Sequence, residues 1–290
     1  MSEFATTLKN TVRWQFASSA LMGITSAVST AYNYAEKLNS SLNDIRIVSG
    51  LSAEEMDKFA KRANEAAQSL STTTTKYTDA ALIFYQQGLS DSEVEERTNA
   101  TIKMANVTGE AVDDVSSYMT AVWNNFNKDG TESVEHFADV MTKLGADTAA
   151  STEEIAGGLE KFAGVCDTIG LSFDYATSAI TTIVDRTRQS EDVVGTALKT
   201  IFSRVQGLQL GETLDDGTTL NQYSTALAKI GVGIKTLDGE LRPMDDILDD
   251  IGEKWEKLND AEKAAVAQKV AGIRQYNQFI ALFDNWDFMK

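Results

Sequence analysis

Apolar residues recur at helical spacing along most of this chain. Between 52 and 70, Met56, Phe59, Ala60, Ala63, Ala67 and Leu70 fall on one stripe of a 3.6-residue helix. Ser52 followed by Glu55 marks its start. In such a capping box the hydroxyl and the carboxylate each satisfy a backbone N–H that the first turn leaves free. Ser92 with Glu95, Ser151 with Glu154 and, more loosely, Asn259 with Glu262 repeat the device. Gly88, Gly109, Gly130, Gly145, Gly170 and Gly207 each follow a periodic run, where a left-handed C-cap is expected. Together these signals predict helices at roughly 79–87, 92–107, 110–127, 132–144, 152–169, 173–188 and 191–206. Such lengths are ordinary for globular helices, so the region reads as a packed array and not one rod.

After Gly207 the pattern changes. Leu208 to Thr219 reads as a polar loop and 220–230 as a helix. Residues 233–242 read as a short β-hairpin, with Asp238-Gly239 suited to the positive φ of a two-residue turn. Pro243 then suits the first turn of a helix, where its missing N–H costs nothing. That helix carries Met244, Ile247, Leu248, Ile251, Trp255 and Leu258 on one face. A last helix over about 260–283 shows Val266, Val270, Ile273, Ile280 and Phe283 on one side. Residues 1–50 are rich in Ala, Ser and Thr and read as one or two long helices forming an arm. The expected fold is therefore all-α, a multi-helix array. A helical arm spans 1–50 and a helical core 51–207. Residues 208–290 add a loop, the hairpin near 233–242 and the C-terminal helices of the same core region.

Composition agrees with a folded chain: 290 residues, 42% hydrophobic and 24% charged, with one proline to interrupt helices. The formal net charge of −17 and the absence of a basic patch argue against nucleic acid binding, which needs Lys and Arg to neutralise phosphates. The one cysteine, Cys166, rules out a disulfide within the chain. No basic n-region precedes a clean apolar core, so no signal peptide is expected, and the chain is expected to work or assemble in a reducing interior. Residues 14–35, Trp14 to Ala35, carry no charge but hold many Ser, Thr, Asn and Gln side chains. They read as a helix packing on partner helices, with a membrane-active segment as the alternative.

Candidate chemistry adds little. His136 is the one histidine, no Gly-x-Ser-x-Gly elbow is present, and Cys166 lies among Phe162, Val165 and Ile169. Phosphate-binding loops are absent from the sequence, and Gly231-Val232-Gly233 reads as a turn. Asn125, Asn127, Asp129 and Gly130 sit at positions 1, 3, 5 and 6 of an EF-hand-like loop. Position 12 is His136 instead of the bidentate glutamate, with Glu135 one place early, so calcium binding is not expected. Asp245, Asp246, Asp249, Asp250 and Glu253 form an acidic face. With no partner base in view it reads as solvated, not as paired catalytic carboxylates. No catalytic, cofactor-binding or metal residue is expected, and the chain is not expected to be an enzyme.

An ordered series of stretches carries a resemblance. It begins with Ser41-Leu42-Asn43-Asp44-Ile45-Arg46-Ile47-Val48-Ser49-Gly50-Leu51-Ser52. Ala149 to Ala156, Gly170 to Asp174 and Gly195-Thr196-Ala197-Leu198-Lys199-Thr200-Ile201-Phe202-Ser203-Arg204 follow. Then come Ala228 to Val232, Met244 to Leu248, Asp260 to Ala264, and Ala271-Gly272-Ile273-Arg274-Gln275. Over roughly residues 40–285 this series resembles the helical core region of bacteriophage tail tape measure proteins, whose usual Gly-Thr-Arg-Gln is close to the last stretch. The resemblance implies a protein that fills the lumen of a phage tail in the virion, templates tube polymerisation and sets tail length. It also implies exit ahead of DNA, with a role in genome delivery through the host envelope.

The implied partners are further copies of the chain (a low-order homo-oligomer such as a trimer), the tail tube protein, tail-tip proteins and tail assembly chaperones. Synthesis is implied in the host bacterial cytoplasm. Members of the family are usually much longer, and 290 fully helical residues would span only about 430 Å. The resemblance is therefore to a core segment, not a complete ruler. The alternative is a free helical binding or membrane-perturbing module of prophage origin, acting through residues 14–35.

Overall fold

The computed structural model describes residues 24–126 and 134–290. Its helices are α1 (Ile24–Ser49), α2 (Ala53–Ser69), α3 (Thr74–Gln86), α4 (Asp91–Thr108), α5 (Val112–Phe126), α6 (Val134–Asp147) and α7 (Thr152–Ile169). They continue with α8 (Phe173–Thr187), α9 (Glu191–Gln209), α10 (Leu220–Lys229), α11 (Met244–Trp255), α12 (Asp260–Phe283) and the short α13 (Trp286–Met289). The fold is all-α among the described residues. The chain forms two compact units, Met1–Ser117 and Tyr118–Lys290, with the division inside α5.

In the first unit α3 is central and packs against α1, α2 and α4. Leu38, Leu42 and Ile45 of α1 are fully buried and spaced by one helical turn, so they form its inward stripe. The α2 stripe buries Met56, Phe59, Ala60, Ala63 and Ala67, while Leu70 becomes the C-cap residue. Phe59 meets Tyr85 of α3 edge to face at 5.6 Å. Two starts differ from expectation. The third helix begins at Thr74, five residues earlier than its pattern predicts, because Thr73 caps it through the Lys76 N–H and Thr74 and Thr75 are buried. The fourth is capped at Ser90, not Ser92. Glu93 accepts from the Ser90 N–H at 2.9 Å, whereas Glu95 is taken up by Arg62 at 3.2 Å.

The second unit is built on α7, α8, α9 and α12. Gly158 and Gly195 let α7 and α9 approach closely: a Cβ on Gly195 would stand 2.7 Å from the Gly158 carbonyl oxygen. Phe137 of α6 packs edge to face on Phe173 of α8 at 4.7 Å. Trp255 of α11 lies against Phe279 and Phe283 of α12, and Trp286 stacks on Phe283.

Of the glycines expected to end helices, Gly88, Gly109 and Gly170 have positive φ, and Gly130 lies outside the described residues. Gly145 and Gly207 instead lie inside helices, and at Gly145, beside the Thr152 backbone, the lack of a side chain serves close packing. A Cβ would come 2.3 Å from Thr152 Oγ1 at the first and 2.7 Å from Glu212 Oε2 at the second. Gly211, at φ +85°, makes the turn after α9.

The β-hairpin expected at 233–242 is not formed. Lys235 and Leu241 make one isolated antiparallel bridge, and the reversal runs from Thr236 to Gly239. Gly239 alone takes the left-handed conformation there, so Asp238-Gly239 does not make the tight two-residue turn. No neighbouring strand supports the pair among the described residues, and isolated two-stranded ribbons are marginal. Arg242 instead ties the returning limb to α11, donating to Gly233 O and to Asp250 at 2.7 Å each.

The last predicted helix is also corrected. Its pattern reads as continuous over 260–283, yet the backbone breaks at Gly272, with φ 76° and ψ 168°. Lys263 Nζ reaches Asp284 Oδ1 at 2.7 Å, although 21 residues of straight helix would hold these positions roughly 30 Å apart. The two arms of α12 therefore fold back on each other. Ile273, expected on the inner face, is 73% exposed. Among the described residues no helix is long and apolar enough to cross a membrane; Trp14 to Gly23 of the uncharged stretch lie outside them.

Candidate functional site

The groups that the sequence offers as candidate chemistry have separate, local partners. Cys166 is buried, its thiol donates to Phe162 O, and burial, helped by the charge of Asp245, pushes its titration upward. A thiol held in the protonated form is a poor nucleophile. His136 Nε2 lies 3.1 Å from Asp174 Oδ1, with Phe137 and Phe173 edge-on to its ring. Asn127 to Gly130 of the EF-hand-like stretch lie outside the described residues, and the Asn125 amide donates to Ala121 O of its own helix. Among the described residues no three His, Cys, Asp or Glu side chains gather to hold a metal ion.

The acidic face of α11 is not simply solvated. Asp245 accepts from the Ser172 N–H at 3.1 Å, at the start of α8. Burial raises its carboxyl above the usual range, and the nearby charges of Asp249 and Asp246 add to this against the Ser172 hydrogen bonds. Asp249 accepts from the Tyr175 hydroxyl and, at 2.7 Å, from Lys290 Nζ. Burial, with the Asp249 hydrogen bond, pushes the Tyr175 hydroxyl up to about 12. Asp250 pairs with Arg242. Ser172 and Tyr175 lie more than 70 positions away in sequence, so no local pattern in 245–253 could have indicated them.

One constellation joins two of the stretches that carry the sequence resemblance. Arg204, at the end of the Gly195–Arg204 stretch on α9, stands against the Gly272 break in the Ala271–Gln275 stretch. Its Nε faces Val270 O at 3.4 Å and its Nη2 donates to Asp216 Oδ2 at 2.8 Å. A Cβ on Gly272 would lie 3.1 Å from the guanidinium carbon. Only glycine tolerates this backbone conformation at little cost, so the break and the clamp fit one residue type.

Asp216 is presented by a tight loop: its Oδ1 accepts from the Thr218 N–H at 3.0 Å, and Leu214 N–H donates to Thr218 O at 2.9 Å. Partial burial pushes the Asp216 carboxyl up, but the Thr218 and Arg204 hydrogen bonds outweigh it and hold the group below its ordinary range. The Arg204 side chain is 15% exposed. The sequence gives no sign of this role for the loop, because a single aspartate in a polar connection carries no spacing signal.

The cleft beside this clamp has a volume of about 380 Å³ and includes Thr200, Arg204, Asp216 and the exposed Ile273. A second groove of about 570 Å³ runs between α10 and the first arm of α12, lined in part by Ala226, Ile230, Val266 and Lys269. What the geometry offers is shape: a fixed helix reversal, an exposed apolar residue beside it and a charged pair that sets its position.

No solved structure matches the chain. The chain is similar to the tape measure protein of Pneumococcus phage Dp-1, at 22% identity over 187 residues, which is 64% of this chain. It spans 16% of that relative's length. The family described as phage-related minor tail protein matches residues 60–272, from α2 to the Gly272 break. The chain therefore belongs to the phage-related minor tail protein family.

Proposed function

We propose that this chain is the core segment of a tape measure protein. In this reading it lies in the tail lumen of the virion, takes part in tail assembly and in setting tail length, and accompanies genome delivery through the host envelope. The family match over residues 60–272 carries the reading. The similarity to the Dp-1 tape measure protein supports it, with the chain standing for one part of a much longer polypeptide. The work is done by contact: with further copies of the chain, with the tail tube and tail-tip proteins, and with assembly chaperones before the tube closes. No chemical step is assigned to it, and a zymogram with peptidoglycan should show no clearing.

The test is genetic and is read by electron microscopy. In the phage that encodes the chain, in-frame removal of 60–272 should abolish tails or leave them without a defined length. Duplicating a helical stretch elsewhere in the same gene should lengthen tails by about 1.5 Å per added residue. Tails of normal number and length after the removal would refute the assembly role. The alternative, a membrane-perturbing module, is favoured by one observation: Trp14 to Ala35 carries no charge. It predicts leakage from liposomes on adding the purified chain, whereas the tail-core reading predicts none.

A further inference from the structure

We infer that α12 is a jackknife: a helix pair in this structure, and one continuous helix when its latches release. Four observations point there. First, the sequence from Asp260 to Phe283 holds no proline and no glycine but Gly272, so nothing else in it opposes an unbroken helix. Second, the break is a single residue, with φ 76° and ψ 168°, between two otherwise helical arms. Third, the carbonyl of Val270, which an unbroken helix would give to the Arg274 N–H, faces Arg204 Nε at 3.4 Å. Arg204 is in turn held by Asp216 at 2.8 Å, from a loop outside both arms. Fourth, the arm tips are joined by a second latch. Lys263 Nζ donates to Asp284 Oδ1 at 2.7 Å, and the same oxygen accepts from Trp255 Nε1 at 2.8 Å.

The fold of the segment is thus fastened at its bend and at its open end by polar groups, and a continuous helix would use neither latch. Ile273, 73% exposed beside the bend, is the one large apolar residue of α12 that this arrangement leaves outside. Opening exchanges the hydrogen bond from Arg204 to Val270 O for a backbone bond within the helix. It also releases Phe279 and Phe283 from Trp255. The latches thus set how readily the segment opens.

A distance measurement between spin labels tests this in the full chain. Cys166 is first replaced by alanine, and cysteines are placed at Ala261 and Ala281 for labelling. A continuous helix would hold these positions about 30 Å apart along its axis. The parent should give one short distance, well under that span. Gly272→Ala, which removes the residue that tolerates the bend, should move most of the population to about 30 Å. Arg204→Gln and Asp216→Asn, combined with Lys263→Gln, should each add a second population at that distance. Far-ultraviolet circular dichroism should show helix content kept or raised. Folded variants that all retain the parent distance would overturn the inference. So would variants that lose cooperative unfolding without a long-distance population, because the latches would then be simple braces.

Discussion

At the scale of single residues, Asp245 and Asp216 show how surroundings set the charge of a carboxylate. The Asp245 carboxylate is half-buried, faces Asp249 and Asp246, and has its protonation raised above the ordinary range. A carboxyl whose folded value lies above its unfolded value of about 3.9 favours the folded state below that value and opposes it once pH rises past the folded value. Asp245→Asn keeps an acceptor for the Ser172 N–H and removes the charge. Discounting for solvent access, it should raise Tm at pH 7 by ~1–2 °C, and the gain should fade toward pH 3 as the native carboxyl takes up its proton. Calorimetry at the two pH values measures it. Asp216 runs the other way. Its lowered value adds stability above the unfolded value, and that contribution disappears as pH falls through the folded value. Asp216→Asn should therefore destabilise at pH 7, and that cost should shrink as pH falls through the folded value.

At the scale of elements, capping boxes and close helix contacts decide where helices sit. The Ser151–Glu154 box closes at 2.7 and 3.1 Å, so Ser151→Ala should cost about 1 kcal/mol in chemical denaturation. Gly195→Ala presses a methyl group to 2.7 Å from the Gly158 carbonyl oxygen. As an overpacked contact between two backbones it should cost about 1–3 kcal/mol.

These elements also show what the sequence could and could not reveal. Ser52, Ser151 and Asn259 are legible as caps because cap chemistry is local and fixed in spacing. Ser92 misleads because two serines stand near that start, and Glu95 is claimed by Arg62 from another helix. Gly145 resembles a stop because a glycine needed for close packing looks, in one dimension, like a glycine needed for a turn. The fold-back at Gly272 is hidden for the same reason in reverse: the apolar period continues across it, and the side chains that fix it come from Arg204, Asp216 and Asp284. The hairpin fails because turn chemistry at Asp238-Gly239 states that the chain reverses, not that strands extend from it.

At the scale of the whole molecule, net charge matters in a way that no single contact reveals. With 43 acidic and 26 basic residues, the folded chain repels itself. Raising sodium chloride from about 0.05 to about 0.5 M should therefore increase Tm by a few degrees, because screening relieves the net repulsion more than it weakens exposed ion pairs. A fall in Tm across that range would mean that the ion pairs outweigh the net charge. The same acidity predicts no band shift with duplex DNA at physiological salt.

The closeness of α7 and α9 has a consequence for how sequences of this kind can drift. A cap accepts serine, threonine, asparagine or aspartate, and a buried stripe accepts most aliphatic side chains of similar volume. Such positions constrain the kind of residue and leave its identity open, which is how 22% identity can persist over 187 residues. Gly158 and Gly195 have no such substitutes: a side chain at Gly195 would meet the opposite main chain, and one at Gly158 would run into Ile180 at 2.4 Å. In distant members with this architecture, the surviving fingerprint should be a sparse set of glycines standing at fixed intervals in otherwise rewritten helices.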